Sequence, residues 1–287
     1  MLLIAAPRVG WEEKQLLQAA RDLSIAAQTV APGAVRSYLG AGGRPIEPPV
    51  FDDARVVLMR CPGYFQSIEL AAAIERHGLR AYNTSEHLTT FGRKTLTDAW
   101  LAARGLPLVP SCLAFSADAL DDVVERLGLP LVVKPSIGGF GRRVQLVETK
   151  RELVHAWEYL EDFAPSHHQV LYVQRWVDVA HDVRVNLVDG KVVGAIERVN
   201  EHALAKNVAL GATGVPYRLE GSAHEVARAL ADALPRGFFG ADLLVTKAGQ
   251  TFVCELNASC SFREASTASR AEIAREVVLA ATREEPS

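Results

Sequence analysis

The apolar positions of this chain change period several times, and the changes divide it into elements. Residues 2–6 (LLIAA) are a short unbroken apolar run, the pattern of a strand buried on both faces of a parallel sheet. From Trp11 the spacing of Leu16, Ala19, Ala20 and Leu23 is that of an amphipathic helix. IAAQTVAP predicts a second strand, and the Gly- and Pro-rich stretch that follows, to Pro49, a loop. ARVVLMRC (54–61) predicts a third strand, Glu69–His77 a helix ended by Gly78, and LRAYNTS (79–85) a fourth strand. Strands alternating with helices make residues 1–92 an α/β unit.

Lys94–Arg104 reads as a helix with Leu96, Trp100 and Ala103 on one side, stopped at Gly105-Leu106-Pro107. A second helix, 117–127, ends at Gly128, and 129–135 (LPLVVKP) is a strand. Thr149 to Glu152 is a capping box opening a helix with Leu153, Trp157 and Leu160 inward. Residues 167–177 predict another strand, and 182–198 a hairpin turned by Asp189-Gly190. Ser222 to Glu225 is a second capping box, for a helix carrying Val226, Leu230 and Leu234. Gly240–Asn257 reads as a hairpin with a KAGQ turn, and a last helix covers 268–282.

Bulk composition changes this picture little. The length of 287 residues suggests two domains, at roughly 150 residues each. The net charge of −3 asks for neither nucleic acid nor a membrane surface as partner. MLLIAAP is too short for a signal peptide core, and no apolar run approaches the ~20 residues of a membrane span. Cys61, Cys112, Cys254 and Cys260 form no C-x-x-C pair, which favours a reduced, cytoplasmic protein with buried thiols.

Candidate chemistry sits where polar residues interrupt apolar strands. Asp242 lies among Ala241, Leu243, Leu244 and Val245, while Glu255 and Asn257 alternate along the partner strand, so all three share a face. Buried carboxylates need a partner, and two carboxylates with an amide oxygen are hard ligands suited to Mg²⁺ beside a nucleotide's phosphates. Lys134 ends an apolar strand just before Gly138-Gly139-Phe140-Gly141-Arg142. Such a loop can bring backbone N–H groups close to phosphate, although plain Gly-rich hairpin turns look the same. Arg175-Trp176 follow a strand whose backbone can read an adenine edge. Asp182 and Arg184 are either ribose and phosphate contacts or a surface ion pair, and Glu197 and Arg198 carry the same ambiguity. Lys94 alone is only a helix-terminal lysine, Asn207 only a loop residue, and His181 and His202 are isolated.

In order along the chain these pieces resemble the RimK/LysX branch of the ATP-grasp ligases. FGRKTLTDAWLAARGLP, DVRVNLVDGKVVGAIER and ELNASCSFRE carry the likeness, as do Arg60-Cys61 and AYNTSEHL. The resemblance implies an α+β ATP-grasp fold: an N-terminal α/β domain over 1–92, a central subdomain with the flap over 93–176, and a C-terminal subdomain with the magnesium site over 177–287. It implies that Lys94 and Lys134 contact ATP phosphates, that Ser136, Gly138, Gly139, Gly141 and Arg142 belong to the flap over them, that Lys206 also binds the nucleotide, that Arg175 and Trp176 frame the adenine, and that Asp182 approaches the ribose. Arg184, Arg198 and Asn207 would hold phosphate or acyl phosphate; Asp242, Glu255 and Asn257 would bind Mg²⁺, as two ions, with Mn²⁺ as a substitute. The implied activity is ATP-dependent ligation of an amino acid, α-aminoadipate or glutamate, to the C-terminal glutamate of a small acidic carrier protein, by a homo-oligomer. Arg142, Arg143, Arg184 and Arg198 are the candidate receptors of that acidic tail. Two rivals stand beside it: a RimK-like glutamate ligase for a protein tail, peptide or small molecule, and a nucleotide-binding protein without catalysis. Leu210 and Ser261-Phe262-Arg263-Glu264 depart from the branch pattern, at the phosphate and amino-acid ends respectively.

Overall fold

The computed structural model of the protein describes residues 1–40, 45–138, 143–163, 170–199, 213–269 and 272–284. Its first part runs β1 (Leu2–Ala5), α1 (Trp11–Asp22), β2 (Ala27–Val30), the short β3 (Arg36–Ser37) and β4 (Ile46–Glu47), β5 (Val56–Met59), α2 (Tyr64–Arg76), β6 (Arg80–Tyr82) and α3 (Ser85–Phe91). The order β2-β1-β5-β6 is parallel throughout. β1 and β5 are buried at every position, which is why their apolar runs have no polar alternation. The fourth strand is shorter than its sequence suggests. Thr84 leaves it to cap α3, its side chain accepting the His87 N–H at 3.2 Å.

The middle part holds α4 (Lys94–Ala102), β7 (Ser111–Ala114), α5 (Leu120–Leu127), β8 (Leu131–Lys134), β9 (Gln145–Val147), α6 (Lys150–Phe163) and β10 (Leu171–Arg175). Its sheet, β7-β10-β8-β9, is antiparallel. The Thr149–Glu152 capping box forms in both directions, at 3.3 and 3.2 Å. Helix α4 is rolled from the expected stripe. Thr97 and Leu101 are buried and Ala103 is exposed, while Trp100 is half-buried under the Arg104 guanidinium, 4.1 Å from its ring centroid.

The last part holds β11 (Val179–Val188), β12 (Lys191–Val199), β13 (Thr213–Pro216), α7 (Gly221–Ala233), β14 (Phe238–Thr246), β15 (Thr251–Asn257), α8 (Arg263–Ser269) and α9 (Ile273–Thr282). These five strands form an antiparallel sheet in the order β13-β12-β11-β14-β15. The β11–β12 turn places Asp189 at φ 44° and Gly190 at φ 75°, the left-handed pair a two-residue turn requires. Two expectations are corrected here. Ser222 does not cap α7; its hydroxyl donates to Gly249 O at 2.6 Å and so ties the helix to the β14–β15 turn. The expected last helix, 268–282, corresponds to α9, and a separate α8 precedes it, with Glu12 of α1 accepting from Phe262 N and Arg263 N at its start.

The cores explain how these parts assemble. One face of the parallel sheet (Leu3, Val57, Met59) shares a core with Val183, Val185, Leu230 and Leu243. The other face (Leu2, Ile4, Leu58) packs against Ile273, Val277 and Val278 of α9. The middle sheet has a core of its own, from Ala114 to Val173, covered by α5 and α6. Asn83 joins first and last parts through three hydrogen bonds, to Phe238 N, Phe238 O and Ala258 O, at 2.6–2.8 Å. Among the described residues no helix is long and apolar enough to cross a membrane.

Candidate active site

The β14–β15 hairpin sets Asp242 opposite Glu255 and Gly240 opposite Asn257, which brings the three expected ligands onto one face. The next pair is Leu243 with Val253, so Cys254 is an extra residue in a bulge. The bulge resolves a conflict in the sequence pattern: Val253 and Glu255 alternate in phase, yet Val253 is buried in the apolar core on the opposite face.

Across the sheet Arg184 of β11 pairs in register with Asp242. Its Nε donates to Asp242 Oδ1, and its Nη2 to Oδ2 at 3.1 Å. Arg198 Nη1 lies 3.1 Å from Asp242 Oδ2, and its Nε and Nη2 both donate to Asp182 Oδ1. Asp182, Arg198 and Asp242 are each less than a tenth exposed. Two carboxylates and two guanidiniums cancel in charge, and that pairing is what permits their burial. Burial pushes the Asp242 carboxyl up, but Arg184 and Arg198 outweigh it and hold it below the usual carboxylate range. Gly240 makes room for this cluster: a Cβ there would lie 2.7 Å from Cys260 Cβ and 3.1 Å from Arg184 Nη1.

The two lysines approach the same hairpin from the middle part. Lys94 Nζ is 3.5 Å from Glu255 Oε1 and donates to Gly138 O at 2.8 Å, while its backbone N–H donates to Ser136 O. The start of the Gly-rich segment is therefore pinned to the first turn of α4. Lys134 Nζ donates to Gln174 Oε1 at 2.6 Å and lies 3.5 Å from Cys254 Sγ. Burial works against its ammonium form, but the Cys254 sulfur and the Glu255 and Asp98 carboxylates prevail and hold its pKa above the ordinary lysine value.

Other expectations fare differently. The N–H groups of Arg175 and Trp176 are already bonded to Pro110 O and Pro130 O, and Arg175 Nε to Leu127 O, so those donors do not face an adenine. Asp182 is neither exposed nor paired with Arg184; it is buried against Arg198. Arg184 and Arg198 are occupied by carboxylates of the chain itself, and of the four arginines proposed for an acidic tail Arg143 is the exposed one among the described residues. His181 bonds Glu197 Oε1 at 2.9 Å on the face opposite Asp182. Gly139, Gly141, Arg142, His202, Lys206, Asn207 and Leu210 lie outside the described residues.

The structure adds residues that no local pattern marks. Glu12 Oε1 accepts from Ser261 Oγ, Phe262 N and Arg263 N at 2.7, 2.6 and 2.9 Å. Its Oε2 binds Arg60, whose Nη1 donates to Cys260 O at 2.7 Å. The N-terminal part thus holds the loop that follows Asn257. Asp98, Ser111, Tyr172 and Gln174 form a second buried chain of hydrogen bonds, ending on Lys134.

Two lysines from separate elements thus approach the hairpin that carries Asp242, Glu255 and Asn257, Lys94 at Glu255 and Lys134 at Cys254. Residues 92–281 match the RimK-like ATP-grasp domain. The chain belongs to that family. Its members are ATP-dependent ligases that join a carboxylate to an amine through a new carbon–nitrogen bond. Alpha-aminoadipate–LysW ligase LysX of Sulfolobus acidocaldarius is 25% identical over 248 residues, covering 86% of this chain and 88% of that protein. The solved RimK domain ATP-grasp protein of Sphaerobacter thermophilus superposes with a TM-score of 0.79 at 17% identity, over 98% of this chain and 99% of that one. The ATP-grasp ligase PsnB, solved with minimal precursor, Mg and ADP, gives 0.70 at 18% identity, over 96% and 94%. The α+β ATP-grasp fold expected from the sequence is the fold observed.

Proposed function

We propose that this ligase activates the C-terminal glutamate of a small acidic carrier protein and joins it to an amino acid, α-aminoadipate or glutamate. The observation that carries the catalytic part is the 3.5 Å approach of Lys94 Nζ to Glu255 Oε1. It sets a phosphate lysine against the carboxylates of the hairpin, as a nucleotide clamped between two sheets requires. The substrate part rests on the likeness to LysX, which acts on α-aminoadipate and LysW.

A carboxylate oxygen of the acceptor attacks the γ-phosphorus of ATP; the bond to ADP breaks, and an acyl phosphate forms. The lone pair of the amino acid's amine then attacks the acyl carbon. The carbon–oxygen bond breaks, phosphate leaves, and the amine proton passes to solvent. Phosphoryl transfer asks the protein mainly for position and charge. Lys94, Lys134 and the segment from Ser136 to Arg142 hold the phosphates. Arg184, Arg198 and Asn207 hold the transferred group. Asp242, Glu255 and the Asn257 amide oxygen fit a hard divalent ion. Among the described residues no three His, Cys, Asp or Glu side chains converge, so an ion held by Asp242 and Glu255 would need the Asn257 amide oxygen as well. Mg²⁺ bound there supplies charge neutralisation for the phosphates.

The test is mass spectrometry of a small carrier protein ending in glutamate, after incubation with enzyme, ATP, Mg²⁺ and mixed amino acids. A mass gain of one amino-acid residue, matched by ADP, is expected. ADP release with free amino acids alone, unaffected by the carrier, would reject the carrier as acceptor.

A further inference from the structure

Lys134 is the charged end of a buried chain of hydrogen bonds whose direction is dictated from the other end. Asp98 sits one helical turn after Lys94 on α4. Its Oδ2 accepts from Ser111 Oγ of β7 and, at 2.7 Å, from Tyr172 OH of β10. The tyrosine oxygen accepts from Gln174 Nε2 at 2.6 Å, and Gln174 Oε1 accepts from Lys134 Nζ at 2.6 Å. Tyr172 and Gln174 are 1% and 2% exposed, so water does not compete for these groups.

The polarity of the chain follows from donor and acceptor capacity. An ionised carboxylate only accepts, and an ammonium only donates. Asp98 therefore accepts the hydrogen bond of the Tyr172 hydroxyl, the phenol oxygen accepts one from the Gln174 amide N–H, and the amide is left with its oxygen toward Lys134. Strand register supports the path, since Tyr172 lies opposite Lys134 on β8 and Gln174 opposite Ser111 on β7. The same helix carries Lys94, so one network references both lysines to each other.

We propose that Asp98, Tyr172 and Gln174 are positioning residues that aim Lys134 at the nucleotide phosphates and fix its distance from Lys94. The proposal rests on the phosphate role assigned to Lys134 above. It implies a specific failure when the polarity is lost. Asp98→Asn keeps the shape but can donate to the tyrosine oxygen; the amide of Gln174 is then free to turn its NH₂ toward the ammonium, which repels it. Tyr172→Phe removes the link and leaves Gln174 Nε2 buried without an acceptor.

The test is calorimetric titration of the full chain with ATP in Mg²⁺, and separately with adenosine. Wild type, Lys134→Ala, Asp98→Asn and Tyr172→Phe are compared. The two relay variants are expected to bind ATP about 10-fold more weakly, about 1.4 kcal/mol, with adenosine affinity unchanged, because only the phosphate end loses its aim. Equal loss for ATP and adenosine would mean a disturbed fold and overturn the proposal. Unchanged ATP affinity in both relay variants, with weakened binding in Lys134→Ala, would overturn the relay and leave the lysine's role standing. Unchanged ATP affinity in Lys134→Ala itself would remove that role, and the relay with it.

Discussion

Two buried polar networks meet at this site, and they are built on opposite principles. Around Asp242 every member is charged, and Arg184 and Arg198 both pair with its carboxylate. Around Lys134 the intermediates are neutral, and the ammonium is held by a single amide oxygen and approached by a thiol. On the proposed function, Asp242 would exchange arginine contacts for those to the metal ion. The second is a path of hydrogen bonds from Asp98 through Tyr172 and Gln174 that ends on the Lys134 ammonium. A site that handles a metal–nucleotide complex has use for both, an exchangeable pole and a fixed one.

The largest effect should come from breaking the charged network. Asp242→Ala leaves two buried guanidiniums without their shared carboxylate, and unfolding titrations should show a loss of about 3–5 kcal/mol. ADP formation should disappear with it. Asp242→Asn should be milder in stability and equally inactive; Mg²⁺-dependent ADP release from it would break the exchange assignment.

Lys134→Ala comes next. It should weaken ATP binding by roughly 10- to 100-fold, about 1.4–2.8 kcal/mol, measured by calorimetry. An unaltered affinity would make the neutral network purely structural.

The pH dependence should separate the two networks further. Asp242 is held below the unfolded carboxylate value, so its pairing contributes stability that is present above a pH of about 4 and lost as pH falls through its folded pKa. Asp98 shifts the other way: burial raises it despite the bonds from Ser111 and Tyr172, so its contribution favours the protonated form and declines as pH rises through its folded value. Urea midpoints between pH 5 and 3 should fall for wild type and fall less for Asp242→Asn. Parallel slopes in the two proteins would contradict the depressed carboxyl.

The smallest effect should be Ser111→Ala, which removes one of two donors to Asp98. A cost of about 1 kcal/mol is expected, with ATP affinity nearly retained because the Tyr172 bond persists. A tenfold loss of affinity would show that the serine, not the tyrosine, carries the direction of the chain.

Much of this was legible in local pattern. The Asp189-Gly190 turn, the Thr149–Glu152 box and the polar residues on β14 and β15 are signals confined to a few positions, and each appears as read. Other signals misled for an equally local reason. Ser222 to Glu225 has the composition of a capping box, but Gly249 O and Thr251 Oγ1 compete for the hydroxyl. Arg184 and Arg198 looked available because nothing in a sequence states that Asp242 and Asp182 face them across the sheet.

Alternation and turn chemistry by themselves determined most of the long elements and the parallel first sheet, while the stretch to Pro49 read as loop holds the short β3 and β4. Only tertiary structure decided who pairs with whom. Glu12 reaches Phe262 across 250 positions, and Asp98 reaches Tyr172 across 74. The bulge at Cys254, which puts Val253 in the core and Glu255 on the site face, exists because β14 and β15 must satisfy an apolar layer on one side and a charged one on the other. Hydrophobic periodicity is written in neighbours along the chain; the partner of a buried charge is written only in space.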